Sequence, residues 1–523
     1  MAARKKGLRK FMKSRAAKIR ASLDHPVVDA DGHMLEYAPV FLDFLKQVAG
    51  ADTVKRYVSH SKNARANQWH KMSRKQVSDH RISRPPFWAV AAAHTRDRAT
   101  SMLPGLLRDR LDEFGFDYTI VYPTFGFFLI DEPDEELRRA CCRAHNSMTA
   151  DIFGPHADRM TPAACIPTGT PAEAIEELEY AVNTLDLKVA MVASLFHRPT
   201  KAAPRVEDDP RLQAYWIDNL AVDSEYDYDP FWAKCVELGI APTAHSHIQG
   251  HGHRRSVNNY LYNQIGHFAD AGEASAKAMF FGGVTRRFPE LNFGFLEGGV
   301  SWACSLYATL VSAWKKRGAH AIRQFDPSQI DFDTLGEYFD KYGGESFARA
   351  LSGRATNETK RLGYVNVSSD GTTNKADLAL LDDFAACQIE KAEDIVDLFI
   401  EPFYFGCEAD DPMAAVAFRG KGLPFDVKLK AVFGSDIGHW DVPEMREVLE
   451  EAYELVEDGL INEDDFRDFT FTNPVMLHAR GNPNFFKGTV VEDSVDKLLK
   501  AEAKASKVRK SKKKNEKRVA QTA

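Results

Sequence analysis

The chain has no CxxC pair, no run of about 18 apolar residues and no apolar stretch behind its basic first residues. Without a long apolar run, a membrane span is not expected. Without an apolar segment after the N-terminal basic residues, a secretory signal is not expected either. Cys141, Cys142, Cys165, Cys235, Cys304, Cys387 and Cys407 are an odd, scattered set. Such a set suits reduced thiols and a cytoplasmic protein better than a disulfide framework. Acidic residues are also missing locally: residues 1–20 carry nine Lys or Arg and no acid, and residues 500–523 carry ten basic residues against Glu502 and Glu516. The formal net charge of −7 therefore hides a middle with 49 basic and 73 acidic residues. Basic tails can grip nucleic acid or an acidic partner, but these lack the interleaved aromatics of a base-stacking surface. The plainer expectation is a basic disordered arm over 1–25 and a basic disordered tail over 491–523, with nucleic-acid binding not expected.

What is present is alternation. The length of 523 residues accommodates a large barrel of roughly 250–400 residues with insertions. Eight short apolar runs alternate with helical stretches: Pro26–Ala30, Asp117–Tyr122, Met160–Ile166, Lys188–Val192, Ile240–Ala244, Asn292–Leu296, Pro402–Phe405 and Lys430–Phe433. Eight is the barrel number, so the expected fold is an α/β (β/α)8 TIM barrel over 26–490. Thr170-Pro171 and Asp229-Pro230 read as N-caps followed by a proline, and Gly239 as a helix stop. Two intervals, about 45–112 and 318–398, are too long for simple loops. They read as helical insertions over or beside the barrel mouth, the second with a strand-like Tyr364–Val367.

The chemistry-bearing residues fall at strand ends. Asp31 and His33 follow Val28-Asp29-Ala30, and positions i and i+2 of a strand project from one face, with Asp29 a step deeper. Alone, an Asp-x-His turn is as readily an Asx-type cap. His245 and His247 repeat the i, i+2 spacing after the fifth run, Glu297 ends the sixth, and Asp436 follows the eighth, with His439 three residues on. A buried carboxylate is costly unless it is paired or metal-bound. Carboxylate and imidazole donors at the C-terminal ends of several strands suit a divalent ion such as Zn²⁺, Mn²⁺ or Fe²⁺, one or two per chain. His94 reads as part of a surface charge cluster that could reach the mouth, and His251 and His253 as surface residues. Trp88 and Trp440 read as either pocket lining or plain packing.

Val28–His33, Pro242–His245, Phe281-Gly282-Gly283-Val284 with Arg287–Leu291, Phe433–Asp436 and Phe471–Pro474 together resemble the amidohydrolase superfamily. The resemblance is to its amidohydrolase-2 branch, which includes aminocarboxymuconate-semialdehyde decarboxylase and the resorcylate decarboxylases, and it spans about residues 26–485. It implies Asp31 and His33 as first-strand ligands, His245 as the fifth-strand ligand and Asp436 as the eighth-strand ligand. Glu297 stands where many relatives have histidine, and with His247 and His439 it could complete a second metal. The implied function is metal-dependent hydrolysis, or non-oxidative decarboxylation, of a small carboxylate- or amide-bearing substrate. Asp436 would be ligand and proton carrier, and His247 or His439 would stabilise developing negative charge. Two other readings stay open: a dinuclear iron or manganese-iron oxygenase on the same fold, and a non-catalytic barrel that partners an active homologue. A homo- or hetero-oligomer of such barrels is expected.

Overall fold

The computed structural model describes residues 14–63, 69–85, 93–201, 214–246, 252–325, 329, 331–352 and 382–505. Ten strands form in chain order: β1 Val28–His33, β2 Tyr118–Tyr122, β3 Met160–Cys165, β4 Val189–Ala193, β5 Phe196–Pro199, β6 Tyr215–Asp218, β7 Pro242–His245, β8 Phe293–Phe295, β9 Phe403–Cys407 and β10 Ala431–Phe433. Eight of them pair in parallel in the order β1-β2-β3-β4-β7-β8-β9-β10, while β5 and β6 form a separate antiparallel ribbon. Every one of the eight is buried along its whole length, as strands covered by helices outside and side chains inside must be. That burial on both faces explains their continuous apolar runs.

The barrel closes beyond the end of β10. The Asp436 N–H donates to Asp31 O (2.9 Å) and the His33 N–H to Ile437 O (2.8 Å). Asp29 reinforces this seam as a fully buried acceptor. It receives Ser435 N–H (2.9 Å), the Ser435 hydroxyl (2.7 Å), the Thr119 hydroxyl (2.6 Å) and Asp31 N–H (3.2 Å). β1 pairs with β2 through a register shift between Asp29 and Gly32, so the strand's end turns toward the mouth.

The expected helix signals are mostly realised. Pro171–Asn183 starts from a capping box in which Thr170 and Glu173 bond each other's backbone. Asp229, however, is the first helical residue of Asp229–Leu238 rather than its cap, and its carboxylate instead holds Arg287. Gly239 ends that helix with φ 67°.

The terminal expectations need correction. Residues 14–25 of the expected arm are structured: helix Arg15–Ser22 buries Ala16 and Ile19, and Arg20 pairs with Asp117. Likewise 492–505 of the expected tail is helical, with Val491 and Val495 buried. Apolar side chains spaced among the lysines and arginines give both segments a face to bury. The first insertion is spanned by helical segments Ala38–Asn63, broken at Gly50 (φ 83°), Arg74–His80, Thr95–Met102 and Pro104–Phe114, the first starting and the last ending beyond its expected bounds. The second insertion falls in a compact unit of its own, 307–395, with helices Phe332–Tyr342 and Gly344–Ser352. Trp88, His247, His251 and the strand-like Tyr364–Val367 lie outside the described residues. Among the described residues, no helix is long and apolar enough to cross a membrane.

Candidate metal centre

The C-terminal ends of four barrel strands deliver a single cluster of donors. β1 carries Asp31 and His33, β7 ends on His245, Glu297 follows β8, and Asp436 follows β10. His33 Nε2 lies 3.4 Å from Asp31 Oδ1, 3.1 Å from Asp436 Oδ1 and 3.9 Å from Glu297 Oε2. His245 Nε2 lies 3.2 Å from Glu297 Oε2 and 3.8 Å from Asp31 Oδ1. All five side chains are buried, none above 7% exposed. The i, i+2 spacing of Asp31 and His33 therefore converges as the strand geometry requires.

Aromatic packing fixes the rings. Phe127 lies against His245 with ring centroids 4.3 Å apart, and His439 stacks on His33 at 3.8 Å. His439 Nδ1 is 2.7 Å from Asp436 Oδ1, and its Nε2 is 3.2 Å from the Thr124 hydroxyl. Thr124 in turn donates to Met34 O (2.7 Å), while its N–H is held by the buried carboxylate of Glu36 (3.2 Å). Asp436 and Glu297 both have left-handed backbone, at φ 49° and 58°. That conformation costs a side-chain-bearing residue of order 1–3 kcal/mol and concentrates at functional sites.

The electrostatics show what the cluster wants. Burial, with Asp436 and then Asp29 nearby, pushes the Asp31 carboxyl well above its ordinary range. Burial and Asp436 do the same to Glu297. Burial, reinforced by His439, pushes His33 down to about 4, and burial with His33 takes His245 well below the usual imidazole range. Burial works against Asp436 too, but His439 and His33 outweigh it and hold this carboxyl well below its usual range. Burial thus favours the neutral form of both imidazoles, with a lone pair available on each, and disfavours charge on Asp31 and Glu297. Asp31 Oδ1, both nitrogens of His245 and both oxygens of Glu297 have no hydrogen-bond partner among the described residues. Orphaned buried acceptors in this number are rare in folded proteins. Two imidazoles and several carboxylates within ligand reach fit a divalent cation.

Sequence reasoning missed three participants. Glu408 directly follows β9, and burial together with Asp436 raises its carboxyl to about 8. Its signal, an acid leaving an apolar strand, matches that of Glu297, but the strand was expected to stop at Phe405. Asp441, raised to about 10 by burial and Asp436, sits in the loop after β10. The role of Thr124 carried no sequence signal. Of the other candidates, His94 pairs with Glu444 (3.0 Å) and does not join the cluster, and His253 is exposed. Trp440 does line the mouth, beside Glu297, Glu408 and Asp441, in a cavity of about 430 Å³.

Fold and site together define a (β/α)8 barrel with a buried carboxylate–imidazole centre at its strand ends. The chain belongs to the amidohydrolase family: the family model described as Amidohydrolase matches residues 79–345, just over half of the sequence. Similar solved structures include an amidohydrolase of Mycobacterium avium subsp. paratuberculosis K-10, at 16% identity over 87% of this chain and 100% of that one, with a TM-score of 0.47. They also include a dihydroxybenzoic acid decarboxylase of Polaromonas sp. JS666 with bound manganese and the inhibitor 2-nitroresorcinol, at 14% identity, 88% and 99% coverage and a TM-score of 0.46. A third is 4-oxalomesaconate hydratase of Rhodopseudomonas palustris, at 13% identity, 92% and 99% coverage and a TM-score of 0.40. No curated protein matches the sequence significantly.

Proposed function

We propose that this chain is a divalent-metal-dependent enzyme that hydrolyses or non-oxidatively decarboxylates a small carboxylate- or amide-bearing substrate. The observation that carries this reading is the convergence of buried oxygens and ring nitrogens from Asp31, His33, His245, Glu297 and Asp436, several of them without a hydrogen-bond partner among the described residues. Asp31, His33, His245 and Asp436 would hold the cation. When bound, a divalent cation supplies Lewis acidity toward a substrate carbonyl or carboxylate oxygen.

The chain's own residues handle the proton. Asp436 is held ionised by His33 and His439, so its free oxygen accepts a proton from water in hydrolysis or carries one to carbon in decarboxylation. His439, fixed between Asp436 and Thr124, keeps the Asp436 carboxylate aimed. Phe127 and Phe268 wall His245 from water, which strengthens each polar contact inside. The buried thiols of Cys141, Cys142, Cys165, Cys235, Cys304 and Cys407, outside any disulfide, suit a reducing compartment.

Metal analysis of protein purified without chelator, for wild type and for Asp31→Ala, His33→Ala, His245→Ala and Asp436→Ala, tests the assignment. Each substitution is expected to lower bound metal at least tenfold with unchanged circular dichroism. Full occupancy in any two of the four sinks it. Carbon dioxide release from hydroxybenzoates against amine release from amides then separates the two chemistries.

A further inference from the structure

A buried carboxylate ties down the turn that follows β2. Glu36, just beyond the end of β1, receives the N–H groups of three consecutive residues: Thr124 (3.2 Å), Phe125 (2.9 Å) and Gly126 (2.9 Å). Successive N–H groups aimed at one point make a concavity for an anion. The same carboxylate meets His145 Nε2 (3.1 Å), on helix Glu135–Phe153, and the ring's Nδ1 lies 3.4 Å from Cys165 Sγ at the end of β3. Glu36, His145 and Cys165 are all buried. Burial works against charge on both members of the pair. On Glu36, His145 and the Phe125 N–H outweigh it and hold the carboxyl below its ordinary range. On His145, Cys165 and Glu36 outweigh it and raise the imidazole to about 10. The pair is charged at neutral pH.

A buried ion pair stabilises little, because desolvation cancels much of its attraction. Its effect here is geometric. The turn it holds carries Thr124, whose hydroxyl meets His439, and Phe127, whose ring centroid lies 4.3 Å from that of His245 and 5.8 Å from that of His33. Space beneath the turn is tight, since a Cβ at Gly126 would lie 2.7 Å from Cys165 Sγ and 2.5 Å from Pro123 Cβ. Packing therefore stops the turn from sinking onto β3, and the carboxylate stops it from lifting away. We propose that Glu36, locked by His145, is a positioning residue of the centre. By holding Thr124–Phe127 it fixes the ring of His245 and, through Thr124 and His439, the aim of Asp436. The role rests on the metal-dependent reading of the centre.

Co²⁺ is the probe, because its visible ligand-field bands report the geometry of its donors. Chelator-stripped wild type, Glu36→Gln, His145→Gln and Leu178→Ala are titrated with Co²⁺ alone, and amide hydrogen exchange is followed on the metal-free proteins. Glu36→Gln keeps the side chain's size but leaves one oxygen for three N–H groups. It is expected to speed exchange at residues 124–126 and shift the Co²⁺ bands, with Co²⁺ affinity lower by about tenfold or more. His145→Gln keeps an N–H donor for Glu36 without the charge, so it should show the same changes in smaller degree, and it carries the test if Glu36→Gln does not fold. Leu178→Ala, a cavity at a buried position of helix Pro171–Asn183, should lower the melting temperature with the bands unmoved, which separates positioning from plain loss of stability. Wild-type exchange at 124–126, or unshifted Co²⁺ bands, in whichever of the two polar variants folds overturns the positioning role and leaves the metal centre standing. Wild type that takes up no Co²⁺ overturns the metal-dependent reading and the positioning role with it.

Discussion

Asp29 should govern both the closure of the barrel and its dependence on pH. Its carboxylate is fully buried and accepts the backbone N–H groups of Ser435 and Asp31 and the hydroxyls of Ser435 and Thr119. In Asp29→Ala the hydroxyls can turn elsewhere, but the two N–H groups stay buried without acceptors. At about 1–3 kcal/mol for each of the two unsatisfied groups, the loss is roughly 2–6 kcal/mol at pH 4, where Asp29 is not ionised in the fold. Asp29→Asn keeps an oxygen for both N–H groups and presents an amide to hydroxyls able to accept from it, so its local cost is about 1 kcal/mol.

The two carboxamide-compatible states differ in charge, and that sets the pH trend. Burial raises the Asp29 carboxyl from 3.8 to about 6, against the opposing hydrogen bonds from Thr119 and Ser435. A carboxyl raised in the folded state contributes stability below its unfolded value and loses it as pH climbs through its folded value. Between about pH 4 and pH 7, wild type therefore gives up roughly 3 kcal/mol that Asp29→Asn, which cannot ionise, keeps. The asparagine variant should be slightly less stable than wild type at pH 4 and equal or more stable at pH 8. Urea unfolding of metal-free protein, followed by circular dichroism at both pH values, measures the difference. An alanine variant within 1 kcal/mol of wild type at pH 4, or a wild-type-minus-asparagine difference flat with pH, refutes the reasoning.

Phe127→Ala should cost about 3–5 kcal/mol as a cavity and weaken metal binding by freeing the His245 ring, read by thermal melts and metal titration. Arg110→Ala should cost a similar 3–5 kcal/mol, because buried Arg110 serves Asp97 (2.6 Å) and Glu113 (3.0 Å) and its loss takes the arginine from buried Asp97; a melt within a degree of wild type counts against this. Arg96→Ala, on the exposed side of the same Glu113, should shift the melt little. Removal of residues 1–23 should lower the melting temperature by several degrees, since it uncovers the surface under Ala16 and Ile19 and takes Arg20 from Asp117; an unchanged melt would restore the solvated-arm reading.

The strands were legible because burial on both faces leaves uninterrupted apolar runs, and all eight expected segments overlap a barrel strand. Their ends were less so: β1 runs on to His33 and β9 to Cys407, where polar residues continue the pairing. Asp31, His33, His245, Glu297 and Asp436 were readable as polar residues at apolar strand exits. Glu408 was masked by a strand end placed two residues early. Asp441 and Thr124 were not readable at all, because their proximity to the centre comes from loops whose paths are set by tertiary packing. The ribbon of β5 and β6 escaped notice because Tyr215, Trp216 and Ile217 are exposed aromatic and aliphatic side chains without a polar alternation. The helices at both ends escaped because lysine and arginine conceal a short apolar face.

The seam between Asp29 and Ser435 joins residues 406 positions apart in the chain. During synthesis, Asp31 and His33 emerge long before Asp436 can reach them, and loop closure over such a span is slow. If Asp436 completes the proposed ligand set, cation capture would belong to the finished chain rather than to a nucleus around which it assembles. A ribosome-bound chain ending before residue 430 would carry most of the barrel and two of its ligating elements, yet have no closed site to fill.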